Sequence, residues 1–211
     1  MSFYSESIFP FFFDSVVRNK VFDQRRKAVL SNCQGKVLEI GAGTGINLDY
    51  YPDFIEEITV VEPNPGMKIQ FQKKALAHRI KVDFRLSGAE KMPFPDQTFD
   101  TVVSTITMCS IPDLQGALAE IKRVLKPEGI FIFLDHGLSD ENFTARVQRF
   151  LNPLHSCIGA GCQLNKNYEI ELHTANFQIL ELKKYNIKNA PKFIGFVYEG
   201  IAKVRRTLSG V

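Results

Sequence analysis

"VLEIGAGTGINLDYY", Val37 to Tyr51, decides the fold. A short apolar run carrying one carboxylate, Glu39, gives way to three glycines at Gly41, Gly43 and Gly45. A buried strand that feeds a glycine turn is how doubly wound α/β sheets begin, since glycines let the backbone turn sharply and approach a ligand. The dinucleotide form of this turn is G-x-G-x-x-G. Here its third place is Ile46, and the third glycine falls one residue early at Gly45. Glu39 would also face a pyrophosphate's charges in a region of reduced dielectric. The nicotinamide fingerprint is broken, and the carboxylate favours a cation.

Outward from this stretch, strand-like runs occur at "KVLEIG" (36–41), "EITVVE" (57–62), "KVDFRL" (81–86), "FDTVVST" (99–105) and "GIFIFLD" (129–135), with helical patterns between most of them. Such alternation implies right-handed βαβ units and a parallel sheet. "NPGMKIQFQKKALAHR" reads as a helix capped by Asn64 and opened by Pro65; "DLQGALAEIKRVLKPEG" reads as one capped by Asp113 and stopped at Pro127 and Gly129. Later, a helix is expected from Ser139 to Leu151, a loop at "HSCIGAGCQL" and a short helix from Lys166 to Thr174. "FQILELKKYNI" and "FIGFVYEGIAKV" then form a hairpin turning at "KNAP", which makes the last strand antiparallel. Residues Phe3–Phe13 and Asp14–Ser31 read as two helices ahead of the first strand.

The expected fold is therefore α/β, with a doubly wound, seven-stranded, mostly parallel sheet, an antiparallel C-terminal hairpin strand and an N-terminal helical cap. At 211 residues the chain suits a single domain: a cap over 1–33, a cofactor-binding core over 36–135, and an acceptor side over 136–211. The net charge of +3 is too small for a nucleic-acid footprint. Cys33, Cys109, Cys157 and Cys162 show no CxxC spacing and follow no secretory signal, so reduced thiols and a cytoplasmic location are expected.

S-adenosylmethionine carries an ammonium and a sulfonium and no phosphate, so it suits a glycine turn with a neighbouring carboxylate. Glu62 follows the first glycine by about 20 residues, where doubly wound folds place the acid that accepts from ribose hydroxyls. Four ordered blocks, "VLEIGAGTG", "VVEPNPGM", "AEKMPFPDQTFDTVV" and "EIKRVLKPEGIFIFLD", cover roughly 36–135. In them the sequence resembles the class I S-adenosylmethionine-dependent methyltransferases, particularly the branch with the quinone-biosynthesis enzymes. Through "NPGMKIQF", "TMCSIPD", "NPLHSCIGAGCQLNK" and "APKFIGFVYEGIAK" it is also similar to the thiol-methylating and lipid-associated methyltransferase-like group.

The resemblance implies that Glu39 lies near the methionine ammonium or bridges to the loop, and that Gly41, Ala42, Gly43 and Gly45 line the methionine portion. It also implies that Glu62 holds the ribose, with Pro63, Asn64 and Met67 bordering ribose and adenine. Many relatives place an Asp before the "AE" block, but here that residue is Gly88, so adenine contacts are expected from Gly88, Ala89 or Glu90. "PEG" replaces the commoner Pro-Gly-Gly in what reads as a turn. Thr105 and Ile106 sit where the fourth strand opens onto the ligand.

Methyl transfer needs mainly proximity and alignment, and a base helps when the acceptor carries a proton. His136, ending the fifth strand, is the candidate to position or deprotonate the acceptor; a structural histidine is the alternative. Cys109, Cys157 and Cys162 read as small buried residues, and His155 and Cys162 as loop residues bordering the acceptor. Their spacing offers no metal motif, so no metal is expected. The phenylalanine-rich start, with Phe11 to Phe13 in succession, reads as a lid, an apolar acceptor channel or a membrane-surface foot over 3–13. Each favours a small lipophilic acceptor: a thiol, a quinone-type phenol or a phospholipid amine. A non-catalytic S-adenosylmethionine-binding protein and a nicotinamide oxidoreductase are the rival readings. Oligomeric state is left open.

Overall fold

Seven strands build one sheet in the computed structural model, which describes residues 20–188 and 190–205. They are β1 (Val37–Ile40), β2 (Glu57–Val61), β3 (Lys81–Arg85), β4 (Phe99–Thr105), β5 (Leu125–His136), β6 (Phe177–Asn186) and β7 (Phe196–Val204), in the spatial order β3-β2-β1-β4-β5-β7-β6. β1 to β5 pair in parallel, and β7 runs antiparallel to both β5 and β6. The antiparallel strand is last in sequence but not at the edge: β7 inserts between β5 and β6.

Alternation along the central strands sends side chains to two cores, one on each face of the sheet. Leu38, Ile40, Phe131 and Phe133 pack on the face covered by α3 (Leu114–Val124) and α5 (Tyr168–Thr174). Val37, Ile132, Leu134 and Val197 pack on the other, with Val29 and Leu30 of α1 (Lys20–Leu30) and Phe71 of α2 (Pro65–Leu76). The doubly wound expectation is met. Asn64 caps α2 as expected, its Oδ1 accepting from Gly66 N at 2.8 Å and Met67 N at 3.4 Å.

Three boundaries differ from the sequence reading. β5 begins at Leu125 rather than Gly129, because α3 ends at Val124 and the chain enters the sheet at once. Lys126–Gly129 form a bulge, since Leu125 pairs with Phe99 and Ile130 with Thr101; "PEG" sits in that bulge rather than in a turn. The fourth helix, α4 (Asn142–Ile158), runs through Pro153 and takes His155 out of the expected loop. A short α6 (Lys192–Gly195) lengthens the connection between β6 and β7. The expected N-terminal cap is seen only as α1; the helix over 3–13 and its membrane contact lie outside the described residues. Among those described, no helix is long and apolar enough to cross a membrane.

Candidate active site

The glycine turn is built at the carboxyl end of β1. Gly41, Gly43 and Gly45 all have positive φ, at 63°, 54° and 82°, a region that disfavours a Cβ. Gly41 N donates to Val61 O at 2.8 Å, which ties the turn to the end of β2. A Cβ on Gly41 would lie 2.1 Å from Thr107 Cγ2. On Gly45 it would press on Phe71 at 3.0 Å and Leu48 at 3.2 Å, so Gly45 has a packing reason of its own. A 3-10 turn, Ile46–Tyr50, follows where an α-helix would usually start.

Both acids are buried beneath this turn. Glu62 accepts from Gly43 N and Asn64 N, both at 2.9 Å, so one carboxylate holds the glycine turn against the start of α2. Burial raises its pKa against those two bonds. Glu39 bridges to the loop: Asn47 Nδ2 donates to Oε1 and Tyr51 Oη to Oε2, each at 2.8 Å. Burial outweighs these donors and lifts its pKa from 4.5 to about 7, with the Arg26 charge opposing the rise.

Glu39, Gly41, Ala42, Gly43 and Thr105, all expected at the cofactor, line one cavity, while Gly45 and Ile106, expected with them, are not in its lining. Arg26, Thr44, Ile46 and Asn47 line it too and were not expected there. Arg26 comes from α1, remote in sequence from the motif blocks, so no local signal marked it, and its charge tempers the anionic character read from Glu39 alone. Asn47, two residues past Gly45, could have been found as a polar residue between Ile46 and Leu48 in the turn. Pro63, Asn64 and Met67 stand apart from that cavity lining, at the β2 exit and the first turn of α2. Gly88, Ala89 and Glu90 follow β3, the neighbour of β2, at the same edge of the sheet.

The β4 exit carries strain. Ile106 adopts φ 51°, unfavourable for a β-branched residue, and its N–H donates to Leu134 O at 2.7 Å. The kink aims Thr107 at Gly41, while Thr107 N donates to Asp135 Oδ2 at 2.8 Å and Cys109 N to the same oxygen at 3.3 Å. One carboxylate at the end of β5 thus fixes the loop after β4.

His136 follows it, 7 % exposed, with Nε2 2.8 Å from Cys162 Sγ, which lies 3.3 Å from Cys109 Sγ. Its Nδ1 is buried and meets no hydrogen-bond partner among the described residues. Burial opposes a charge on the imidazole, but Cys109 and Asp135 outweigh it and push its pKa up. The hydrogen bond shared with Cys162, then burial, holds the Cys109 thiol well above its usual range. His155 joins this group from α4: its ring centroid is 6.1 Å from that of His136, and Nδ1 lies 3.0 Å from Cys162 O. Cys157, read as buried, is exposed.

These residues fit S-adenosylmethionine. Asn47 Oδ1 is a buried acceptor that no described residue satisfies, it belongs to a residue lining the cavity beside Glu39, and an ammonium is the donor such a group needs. Positive-φ glycines leave backbone open where a ligand's chain would pass.

Comparison with known proteins points to the same cofactor. Residues 38–133 match the family model described as a methyltransferase domain. Thiol S-methyltransferase TMT1A of Homo sapiens is 30% identical over 83% of this chain and 77% of its own length. Phosphatidylethanolamine N-methyltransferase of Cereibacter sphaeroides is 27% identical over 81% of each chain. Among solved structures, the YcgJ protein of Bacillus subtilis superposes with a TM-score of 0.66 at 18% identity, covering 87% of this chain and 97% of that one.

Proposed function

The chain belongs to the class I S-adenosylmethionine-dependent methyltransferases, and on that premise we propose that its acceptor is a small, lipophilic thiol. The observation that carries the acceptor class is the cluster of His136, Cys109 and Cys162 at the carboxyl edge of the sheet, joined to the cofactor turn through Thr107 and Asp135. The 30% identity to a thiol S-methyltransferase supports the same class.

S-adenosylmethionine, when bound, supplies an electrophilic methyl group on a sulfonium. The chain holds and orients it. Glu62, its oxygens fixed by two backbone amides, would accept from the ribose hydroxyls, while Glu39 and Asn47 would receive the ammonium. Pro63, Asn64 and Met67 would border the ribose and adenine, with Gly88, Ala89 and Glu90 beyond them at the end of β3. Thr105 and Ile106 would border the ligand from β4, Thr105 from the cavity wall. Holding two reactants in line is worth about 7–11 kcal/mol in favourable cases.

A thiol attacks as thiolate, so the acceptor must lose its proton. His136, buried at the end of β5 with a ring nitrogen unsatisfied, is the residue through which the acceptor is prepared. Incubation with methyl-labelled donor and alkyl thiols, followed by mass spectrometry, tests the reading. A methyl thioether formed in step with S-adenosylhomocysteine is expected. Label appearing in phosphatidylethanolamine or a phenol, with none in any thiol, would overturn the acceptor class and leave the cofactor assignment standing.

A further inference from the structure

We propose that Cys109, His136 and Cys162 form a site for Zn²⁺ with one coordination position left for a thiol. The inference deepens the acceptor reading and rests on it only for the identity of that fourth ligand.

Three elements bring the donors together: the 3-10 turn Met108–Ser110, the end of β5 and the segment after α4. Their ligand atoms all lie within 4.8 Å of one another, with Cys162 Sγ 3.3 Å from Cys109 Sγ and 2.8 Å from His136 Nε2. In a tetrahedral site with Zn–S near 2.3 Å and Zn–N near 2.0 Å, donor atoms stand about 3.5–3.8 Å apart. The Cys162–Cys109 and Cys162–His136 pairs would therefore have to separate by less than about 1 Å to admit an ion.

The backbone under the cluster is already fixed. Buried Lys166 donates from Nζ to Met108 O at 2.8 Å and to Ile111 O at 2.5 Å, clamping the turn that carries Cys109. Gln163 N donates to Cys109 O at 2.9 Å, holding the segment of Cys162 against that turn. Two sulfurs and an imidazole are the donor set of zinc rather than of a hard cation. Among the described residues no fourth His, Cys, Asp or Glu joins the group. Three protein ligands with an open position are the pattern of a catalytic zinc site, and a structural site would be closed. Cys162 is the half-buried member, so the open position faces the accessible side. A thiol entering there gives its proton to solvent and binds through sulfur, and the ion's charge lowers the thiol's pKa, so that His136 need not accept the proton.

The test uses the full chain, kept reduced and stripped with a chelator, then titrated with Co²⁺ and competed with Zn²⁺. The expected result is a single equivalent of Co²⁺ with tetrahedral visible bands and a near-ultraviolet sulfur-to-cobalt charge-transfer band. Cys162→Ser should weaken binding roughly hundredfold or more and reduce that band, His136→Ala should shift the visible bands, and Cys157→Ser, an exposed cysteine, should change nothing. Butanethiol should perturb the cobalt spectrum with no methyl donor present, and butanol should not. Failure of the reduced chain to take up metal overturns the site, as does a spectrum indifferent to both Cys162→Ser and His136→Ala. A spectrum that changes with those variants but ignores butanethiol overturns the open position. Undiminished thiol methylation by stripped chain that takes up no metal defeats the inference and leaves the acceptor reading intact. Stoichiometric, thiol-responsive metal without thiol methylation defeats the acceptor reading and leaves the site.

Discussion

Thr107 donates from Oγ1 to the carbonyl oxygen of Gly41 at 3.1 Å, bolting the strained exit of β4 onto the first glycine of the cofactor turn. The two sides of the reaction centre are thereby set against each other, since the next turns of chain carry Cys109 on one side and Gly43 on the other.

Gly41→Ala should damage both folding and cofactor binding. The new Cβ would meet Thr107 Cγ2 at 2.1 Å, and Thr107 is held by its N–H on Asp135 Oδ2 and by its hydroxyl, whose one proton goes to Gly41 O or Thr105 O, so it cannot simply turn away. The positive φ alone costs about 1–2 kcal/mol, and the clash adds to it. Differential scanning calorimetry should show the loss, and Thr107→Ser, which removes Cγ2 and keeps the hydroxyl, should restore part of it in the double variant. Equal melting temperatures for Gly41→Ala and the unaltered chain would contradict the close approach.

Glu62→Gln exchanges one acceptor for an amide that faces a backbone donor, either Gly43 N or Asn64 N. Leaving a buried donor unsatisfied costs about 1–3 kcal/mol. Calorimetric affinity for S-adenosylhomocysteine should fall roughly ten- to hundredfold, in line with that figure. Unchanged affinity would place the ribose elsewhere.

Glu39 should make stability depend on pH. Its folded pKa, about 7, lies above the ordinary 4.5. Below about 4.5 both folded and unfolded chains carry the proton; from there to about 7 the folded chain keeps it and the unfolded chain loses it. Stability from this group is therefore complete at the acidic end and lost as pH rises through about 7. Glu39→Gln should flatten the fall in melting temperature between pH 5 and 8 relative to the unaltered chain, a comparison that cancels the other titrating groups. A bound ammonium would draw the pKa down, so uptake of S-adenosylmethionine near pH 7 should release protons, seen as a dependence of binding heat on buffer ionisation enthalpy. Parallel melting curves for the two proteins would contradict the burial argument.

His136→Ala should lower kcat with a thiol acceptor by roughly two to four orders of magnitude, the range for removing a group that prepares the acceptor. Affinity for S-adenosylhomocysteine should hold, since His136 does not line the cofactor cavity. Loss of cofactor binding alone, with turnover of bound cofactor intact, would assign His136 to the wrong side.

The parallel core was legible in the sequence because its signals are local. Apolar runs, the Asn64 cap and the glycine turn each act over a few residues, and the first four strands, the cap and the turn lie where they were read. Pro127 and Gly129 misled because a strand can absorb both in a bulge, which depends on the partner strand rather than on the residues themselves. Pro153 likewise did not stop α4. Arg26 and the Cys109–His136–Cys162 cluster were invisible for a different reason: they are assembled from separate elements, and spacing along the chain carries no trace of a contact made across the sheet's edge. Gly45 shows the converse, a residue expected at the cofactor whose packing against Phe71 only the fold reveals.

The most direct test of the central claim is a competition in one vessel: methyl-labelled donor with equal concentrations of an alkyl thiol, a phenol and phosphatidylethanolamine vesicles, each product resolved by mass. The account predicts label in the thioether, matched mole for mole by S-adenosylhomocysteine and abolished by Glu62→Gln together with Gly41→Ala. Label in phospholipid or phenol with the thiol untouched would contradict it.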